Sequence, residues 1–519
     1  MSSEPVRPSP YPARSPLRLI ALGLPSLAIY VGGFAMRYPL LSNAGRAHIS
    51  VVDFGSDARL SALFYILCVV ALFALYGLGR AWALPKRPDL WSWGVLIGAA
   101  ILFCLALSLT YPVGSTDVYD YIIRGRMLGL GGDNPFYTIP EHGYQSDPFF
   151  RFINWPKTPS AYGPLWELPA AGLARLAGDG LAVNVLAFKA FDVLAYLADV
   201  ALIVAILRRI APRRALSGTY LFAWNPLVLL ETAANGHNDS LMLLFVLLGV
   251  YLYARARPAL GALAQVGGAL VKFIPGLLFP LFLVGALAQR PPARRLRALI
   301  GVLLAAALIG AACYAPFWGS GDVLGLGRRT RMFTTSLPAL IFLLTRPTLE
   351  AEPASMLANG LALAALGAFL IWRTLTVWRD PRPTTLIRAT HDVFLFYLLA
   401  ACTWFWPWYV MWVVALGALR PPGPAQTGTA LFSLTAGWKP LVRSFWKAFT
   451  GRPLETWGHQ LVSVAVVMAL PWLYFLGALV VAGLRALSRR KMTSRTARAI
   501  LGNDVTHKER LSDGRRISR

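Results

Sequence analysis

Apolar residues in this chain gather into long runs, and runs able to cross a hydrocarbon core of about 30 Å recur along its whole length. Those at 18–36, 60–84, 91–111, 181–207, 215–233, 238–254, 298–318, 354–378, 388–403 and 461–486 predict spanning helices. Shorter runs at 163–178, 259–271, 275–289, 333–345, 405–419 and 427–437 need individual interpretation. The pattern predicts an all-α, polytopic transmembrane helical bundle with roughly 12 crossings and one long polar loop, at about 112–180.

Composition agrees with the pattern. The 519 residues are 56% hydrophobic and only 14% charged, with mean hydropathy +0.54, which excludes an ordinary soluble domain. The net charge of +26 sits mostly at helix ends, at Arg80, Lys86 and Arg87, at Arg208, Arg209, Arg213 and Arg214, at Arg255 and Arg257, at Arg290–Arg297 and in the tail. The positive-inside rule assigns these, and both termini, to the cytoplasm. The loop at about 112–180 and the turn from Asn235 to Asp239 then fall outside. A basic rim on anionic lipid accounts for the charge without nucleic acid. Cys68, Cys104, Cys313 and Cys402 lie far apart in apolar runs and predict unpaired, structural thiols.

Parity constrains two segments. Residues 163–178 cannot cross if both neighbours are placed correctly, so they predict a helix lying on or dipping into the outer surface. Residues 259–289 are flanked by arginines on both sides and must cross an even number of times. Two arms of about 13 to 15 residues reach only ~20 Å each, so the tip, Val271-Lys272-Phe273-Ile274-Pro275, stops below the outer surface. A lysine at that depth requires a water-filled cavity or an anionic partner. The segment 18–36 reads as a retained anchor after a short N-terminus (1–17). From 487 to 519 the chain is basic and polar and predicts a tail without regular structure.

The polar loop opens on Thr116-Asp117-Val118-Tyr119-Asp120-Tyr121 and continues to Arg124-Gly125-Arg126, a short helix. Asp117 and Tyr121 share one face, and Asp120 and Arg124 share a neighbouring one. That leaves Asp117 as the free carboxylate and general base, with Asp120 the structural residue. Gly131-Gly132-Asp133-Asn134-Pro135 ends the helix. Pro164 starts the next, with Glu167 in its first turn, where a carboxylate suits the dipole. Asn238 or Asp239 can cap the helix that follows them. A cap does not explain His237, Asn238 and Asp239 gathered with Asn235 and Glu231, a set suited to sugar hydroxyls or phosphate. One His with one Asp is too little for a dedicated metal site, and a divalent cation bridging to phosphate is left open. Arg328, Arg329 and Arg331 break the positive-inside trend; guanidinium groups there suit phosphate, as the donor's or as lipid headgroups. Trp404-Phe405-Trp406-Pro407-Trp408-Tyr409 with Trp412 is an aromatic belt or a stacking wall for a sugar or isoprenoid.

Taken in order, these residues resemble the GT-C superfamily of membrane glycosyltransferases, specifically bacterial polyprenol-phosphate-mannose-dependent α-mannosyltransferases. The resemblance covers roughly residues 90–420. It rests on Asp117 with Tyr119 and Tyr121, Asp133-Asn134-Pro135-Phe136-Tyr137, Tyr162-Gly163-Pro164-Leu165, Asn225-Pro226-Leu227, Gly236-His237-Asn238-Asp239, Val271-Lys272-Phe273-Ile274-Pro275 and Trp406-Pro407-Trp408-Tyr409. It implies a GT-C-like domain over 18–486 in a bacterial inner membrane. It also implies inverting transfer of a sugar, mannose before others, from polyprenyl phosphate to a glycan or glycolipid on the outer face. The family's base carries over to Asp117 alone. Substrate contacts are expected from Asp120, Tyr121, Tyr162, His237, Asn238, Asp239, Lys272, Arg328, Arg329, Arg331 and Trp408, with no metal or cofactor required. The competing class is a lipid or solute transporter, which broken helices around Lys272 also suit.

Overall fold

The computed structural model describes residues 14–84, 89–319, 332–451 and 456–513. Among these there are helices and turns and no strand, only the isolated bridges Pro39–Thr110 and Thr334–Trp404. Seven helices are long and apolar enough to cross a membrane: Pro16–Ala35, Ala58–Ala83, Leu90–Ser108, Leu181–Ile210, Pro292–Phe317, Ala351–Arg379 and Trp457–Arg485. Four shorter apolar helices accompany them: Asp239–Ala254, Pro258–Val271, Ile274–Ala288 and Pro407–Ala418. The burial pattern is that of a membrane protein. Leu303, Leu304, Leu308, Leu361 and Leu363 face outward, while Asp192, Asp199, Glu231, His237, Asn238 and Asp239 are buried. Lipid can cover the former but cannot satisfy the latter.

Several expected spans are not continuous helices of spanning length. The run 215–233 breaks after Ala223, because Asn225 Oδ1 accepts from the backbone N–H groups of Leu227 and Val228 and Pro226 starts a new turn. The chain then widens into a π-helical turn at Leu230–Ala234. The run 388–403 resolves into a helix, Pro383–Phe396, and a second π turn at Tyr397–Ala401. The last helix continues to Asp513, into the polar stretch expected to lack regular structure; no proline interrupts 487–513.

The lengths of two short segments agree with what the residue counts predict. Residues 258–288 form a hairpin of short helices, Pro258–Val271 and Phe279–Ala288, with Lys272 at the tip. The run at 163–178 is one short helix, Pro164–Ala177, held against the tip where Gly163 N–H donates to Val271 O at 2.9 Å. The helix at the start of the polar loop, Asp117–Arg126, lies on this Pro164–Ala177 helix. Contact is close because a Cβ on Gly125 or Gly129 would meet the carbonyl oxygen of Ala170 or Ala171 at 2.5 Å. Small residues four apart let two backbones approach in this way. Gly132, in the left-handed region at φ 75°, ends the first helix as the turn residues predict.

Candidate active site

Asp117 is the first residue of its helix, and its side chain is one-fifth exposed, toward a cavity of about 260 Å³. Burial pushes its carboxyl above the ordinary range, while His237 and Lys272 oppose that shift. Asp120 behaves as i,i+4 spacing predicts: its Oδ1 accepts from Arg124 Nη1 at 2.9 Å with both side chains buried. Burial lifts the Asp120 carboxyl to about 6 despite the arginine. Arg124 also donates to the carbonyls of Trp155 (3.3 Å) and Thr158 (3.1 Å), fixing the far side of the loop to this helix. Tyr121 lies beneath the floor, edge-on to Tyr162 and Trp166 at 5.0 Å, and its hydroxyl meets that of Tyr162 at 3.3 Å. Tyr162 itself lines the cavity.

Glu167 is not a helix cap. Its carboxylate turns inward, accepts from Ser160 Oγ, and is wholly buried with Oε2 unpartnered among the described residues. Burial raises it to about 7.

Lys272 stands at the hairpin tip and lines the cavity. Its expected anionic partner is Asp239: Nζ donates to Oδ2 at 2.8 Å. The other carboxylate oxygen accepts from Trp412 Nε1 at 2.6 Å. The ammonium also lies 5.5 and 5.2 Å from the rings of Tyr162 and Tyr409, a cation–π pair.

The turn at Asn235–Asp239 lies outside the cavity lining. His237, Asn238 and Asp239 are each 0% exposed, and none lines the cavity. The reason is local. The π turn and Gly236, at φ 71° where side chains are strained, fold the segment back behind the cavity wall. Asn238 precedes the next helix without a capping bond, and both its amide atoms lack partners among the described residues. His237 stacks face-on against Trp408 at 3.8 Å, so Trp408 presents one face to the histidine and borders the cavity.

The remaining wall is aromatic. Trp406 stacks on Trp408 at 5.0 Å, and Trp155 meets Trp404 edge-on at 6.1 Å. Lys439 holds this wall from behind, with Nζ 3.8 Å from the Trp406 ring and bonded to Phe405 O. Trp155 and Tyr397 also line the cavity and carry no sequence motif that marks them. Arg328, Arg329 and Arg331 lie outside the described residues. Among the described residues no three metal-ligating side chains gather as a cluster, and all four cysteines are free. The arrangement is a carboxylate and an ammonium lining one aromatic pocket. It can hold a sugar against flat rings, remove a proton and offset an anion.

Residues 21–289 match the family of alpha-(1->6)-mannopyranosyltransferase N-terminal domains. The chain is 24% identical over 463 residues to alpha-(1->6)-mannopyranosyltransferase A of Mycobacterium tuberculosis, covering 84% of each chain. A second alpha-(1->6)-mannopyranosyltransferase of that organism is 33% identical over 155 residues, 29% of this chain and 25% of its own. Alpha-(1->6)-mannopyranosyltransferase B of Corynebacterium glutamicum is 30% identical over 155 residues, again 29% and 25%.

Proposed function

The chain belongs to the alpha-(1->6)-mannopyranosyltransferase family that its residues 21–289 match, and from that premise we propose a polyprenyl-phosphate-dependent, inverting transfer with Asp117 as base. The protein is a membrane mannosyltransferase of the GT-C type. Its donor is mannose on polyprenyl phosphate, and its acceptor is a hydroxyl of a glycan or glycolipid. Transfer takes place on the outer face of a bacterial inner membrane, within a domain spanning residues 18–486 and roughly a dozen crossings. The 112–180 loop lies outside and both termini inside.

The observation that carries the reading is the Asp117 carboxylate opening into the aromatic cavity that Lys272 also borders. Asp117 accepts the proton of the acceptor hydroxyl. The freed oxygen lone pair forms the bond to the anomeric carbon, and the carbon–oxygen bond to phosphate breaks with its electron pair leaving on phosphate. Inversion that gives an α product requires a β-linked donor. Lys272 lies where it can offset charge on the leaving phosphate, with Arg328, Arg329 and Arg331 assigned the same task. Trp406, Trp408 and Tyr162 line the pocket that takes the sugar and the isoprenoid. No step needs a metal or an organic cofactor, because the donor carries its own leaving group.

The test is transfer of radiolabelled mannose from polyprenyl phosphate to an oligomannoside by the purified chain in nanodiscs. Asp117→Asn should lower the rate by about 10²–10⁴. A normally inserted variant that keeps full activity refutes the assignment of the base.

A further inference from the structure

Behind the cavity, a histidine and a second carboxylate stand in line with Asp117. His237 Nδ1 lies 3.0 Å from Glu231 Oε2 and 3.2 Å from Glu231 O. Both neighbours are acceptors, so Nδ1 carries a hydrogen and, in the neutral ring, Nε2 carries the lone pair. That lone pair has no hydrogen-bond partner among the described residues, although the ring is wholly buried. It faces Asp117 Oδ2 at 4.0 Å. Turning the ring over about its Cβ–Cγ bond would break both Nδ1 contacts. Glu231 is fixed in turn: Oε2 accepts from Asn235 Nδ2 at 2.9 Å, and Asn235 Oδ1 accepts from Gly114 N–H at 3.2 Å, beside the start of the Asp117 helix.

A histidine kept only for packing would have both nitrogens satisfied. Here the satisfied nitrogen faces away from the cavity, and the unsatisfied one faces the group that opens into it. Catalytic hydrogen bonds are commonly long in an unliganded site and tighten with substrate, or are bridged by one water.

We propose that His237, oriented by Glu231, is a positioning and proton-relay residue for Asp117. This rests on Asp117 being the base. The proton that Asp117 takes from the acceptor hydroxyl passes from Oδ2 to the Nε2 lone pair. Nδ1–H stays bonded to Glu231, and Asp117 is restored as a carboxylate. The imidazolium then lies between two carboxylates. The other charged groups facing this line are Lys272, paired with Asp239, and Asp120, paired with Arg124; the stem of Lys189 packs beside Gly236. His237 is sealed from solvent, so Asp117 is its route to the cavity.

The experiment is the pH dependence of kcat/KM for mannosyl transfer by the full chain in nanodiscs. With the relay, protonating His237 in advance blocks the transfer, so the acid limb of the wild type depends on His237. His237→Gln should move that limb and lower the plateau at least tenfold. Glu231→Gln keeps an acceptor at Nδ1 but removes the countercharge, and should move the limb as well. An acid limb that stays in place in His237→Gln overturns the relay even if the rate falls. Should that variant not insert, an unmoved limb in Glu231→Gln does the same. Asp117→Asn separates the two claims: loss of transfer there with unmoved limbs keeps the base and removes the relay. Retained transfer in Asp117→Asn removes both.

Discussion

Replacing Lys272 by methionine removes the ammonium and nearly preserves the length of its stem, which leaves the Asp239 carboxylate 0% exposed with Trp412 Nε1 as its remaining side-chain donor. Asp239 also opens the helix Asp239–Ala254, where the dipole favours a negative charge, but that covers only part of the loss. Breaking a buried pair from one side costs about 3–5 kcal/mol. The reverse change, Asp239→Asn, strands an ammonium that borders the cavity and the rings of Tyr162 and Tyr409. Water and the rings compensate it, so about 1–3 kcal/mol is expected. In the double variant no charge is stranded, and it should be more stable than Lys272→Met alone, with a coupling of about 2–4 kcal/mol. For 519 residues, an unfolding entropy of about 2.1 cal/mol/K per residue makes 1 kcal/mol worth about 1 °C. The assay is thermal unfolding in detergent followed by tryptophan fluorescence. Lys272→Met should lower Tm by about 3–5 °C, and adding Asp239→Asn should recover about 1 °C of that. If the single variants lose equal amounts and the double variant loses their sum, the pair is not energetically coupled and this argument is wrong.

Three further outcomes are expected. Burial raises Glu167 from 4.5 to about 7; a raised carboxyl favours the protonated folded form, so its stabilisation is complete below about pH 4.5 and is lost as pH rises through about 7. Glu167→Gln should therefore remove on the order of 3 kcal/mol of destabilisation from the wild-type pH profile of Tm between those limits. Gly125→Leu drives a Cβ to 2.5 Å from Ala170 O and should cost at least about 1–3 kcal/mol along with most transfer activity. Gly172→Leu, on the same supporting helix with nothing within 4 Å of its Cβ, is the control that should change neither. Gly236→Ala, at φ 71° with Val118 and Lys189 at 3.2 Å, should cost about 1–2 kcal/mol in Tm and displace His237.

How far the chain could be read in advance depended on the range of the interaction. The Asp117–Arg126 helix, its Gly-Gly-Asp-Asn-Pro stop and the Asp120–Arg124 pair follow from i,i+4 geometry and turn residues, which act within a few positions. The short hairpin followed from counting residues between arginines, and the depth of Lys272 required an anion without naming it. Asp239 is 33 residues earlier, and nothing local selects it over Asp192 or Glu231. Apolar runs hid the breaks at Asn225 and after Phe396, because mean hydropathy does not register a backbone whose hydrogen bonds are rerouted through a side chain or a π turn.

The same reasoning accounts for the direction in which one polar cluster faces. Clustering placed His237, Asn238 and Asp239 together correctly, but not the direction they face. A π turn adds one residue to a helical turn and rotates everything after it, so facing cannot be counted from the preceding helix. Once the turn is fixed, the three residues form the rear of the site. Asp239 steadies the ammonium that borders the cavity, and His237 backs both Trp408 and the carboxylate. In a protein whose exterior is apolar, a polar group behind the wall must be satisfied by other polar groups, or it remains a cost. The Asp239 carboxylate is satisfied twice over, by Lys272 and Trp412. Among the described residues His237 is satisfied only at Nδ1, and the deficit points at Asp117. That asymmetry within one five-residue turn separates a brace for the pocket from a group able to receive a proton.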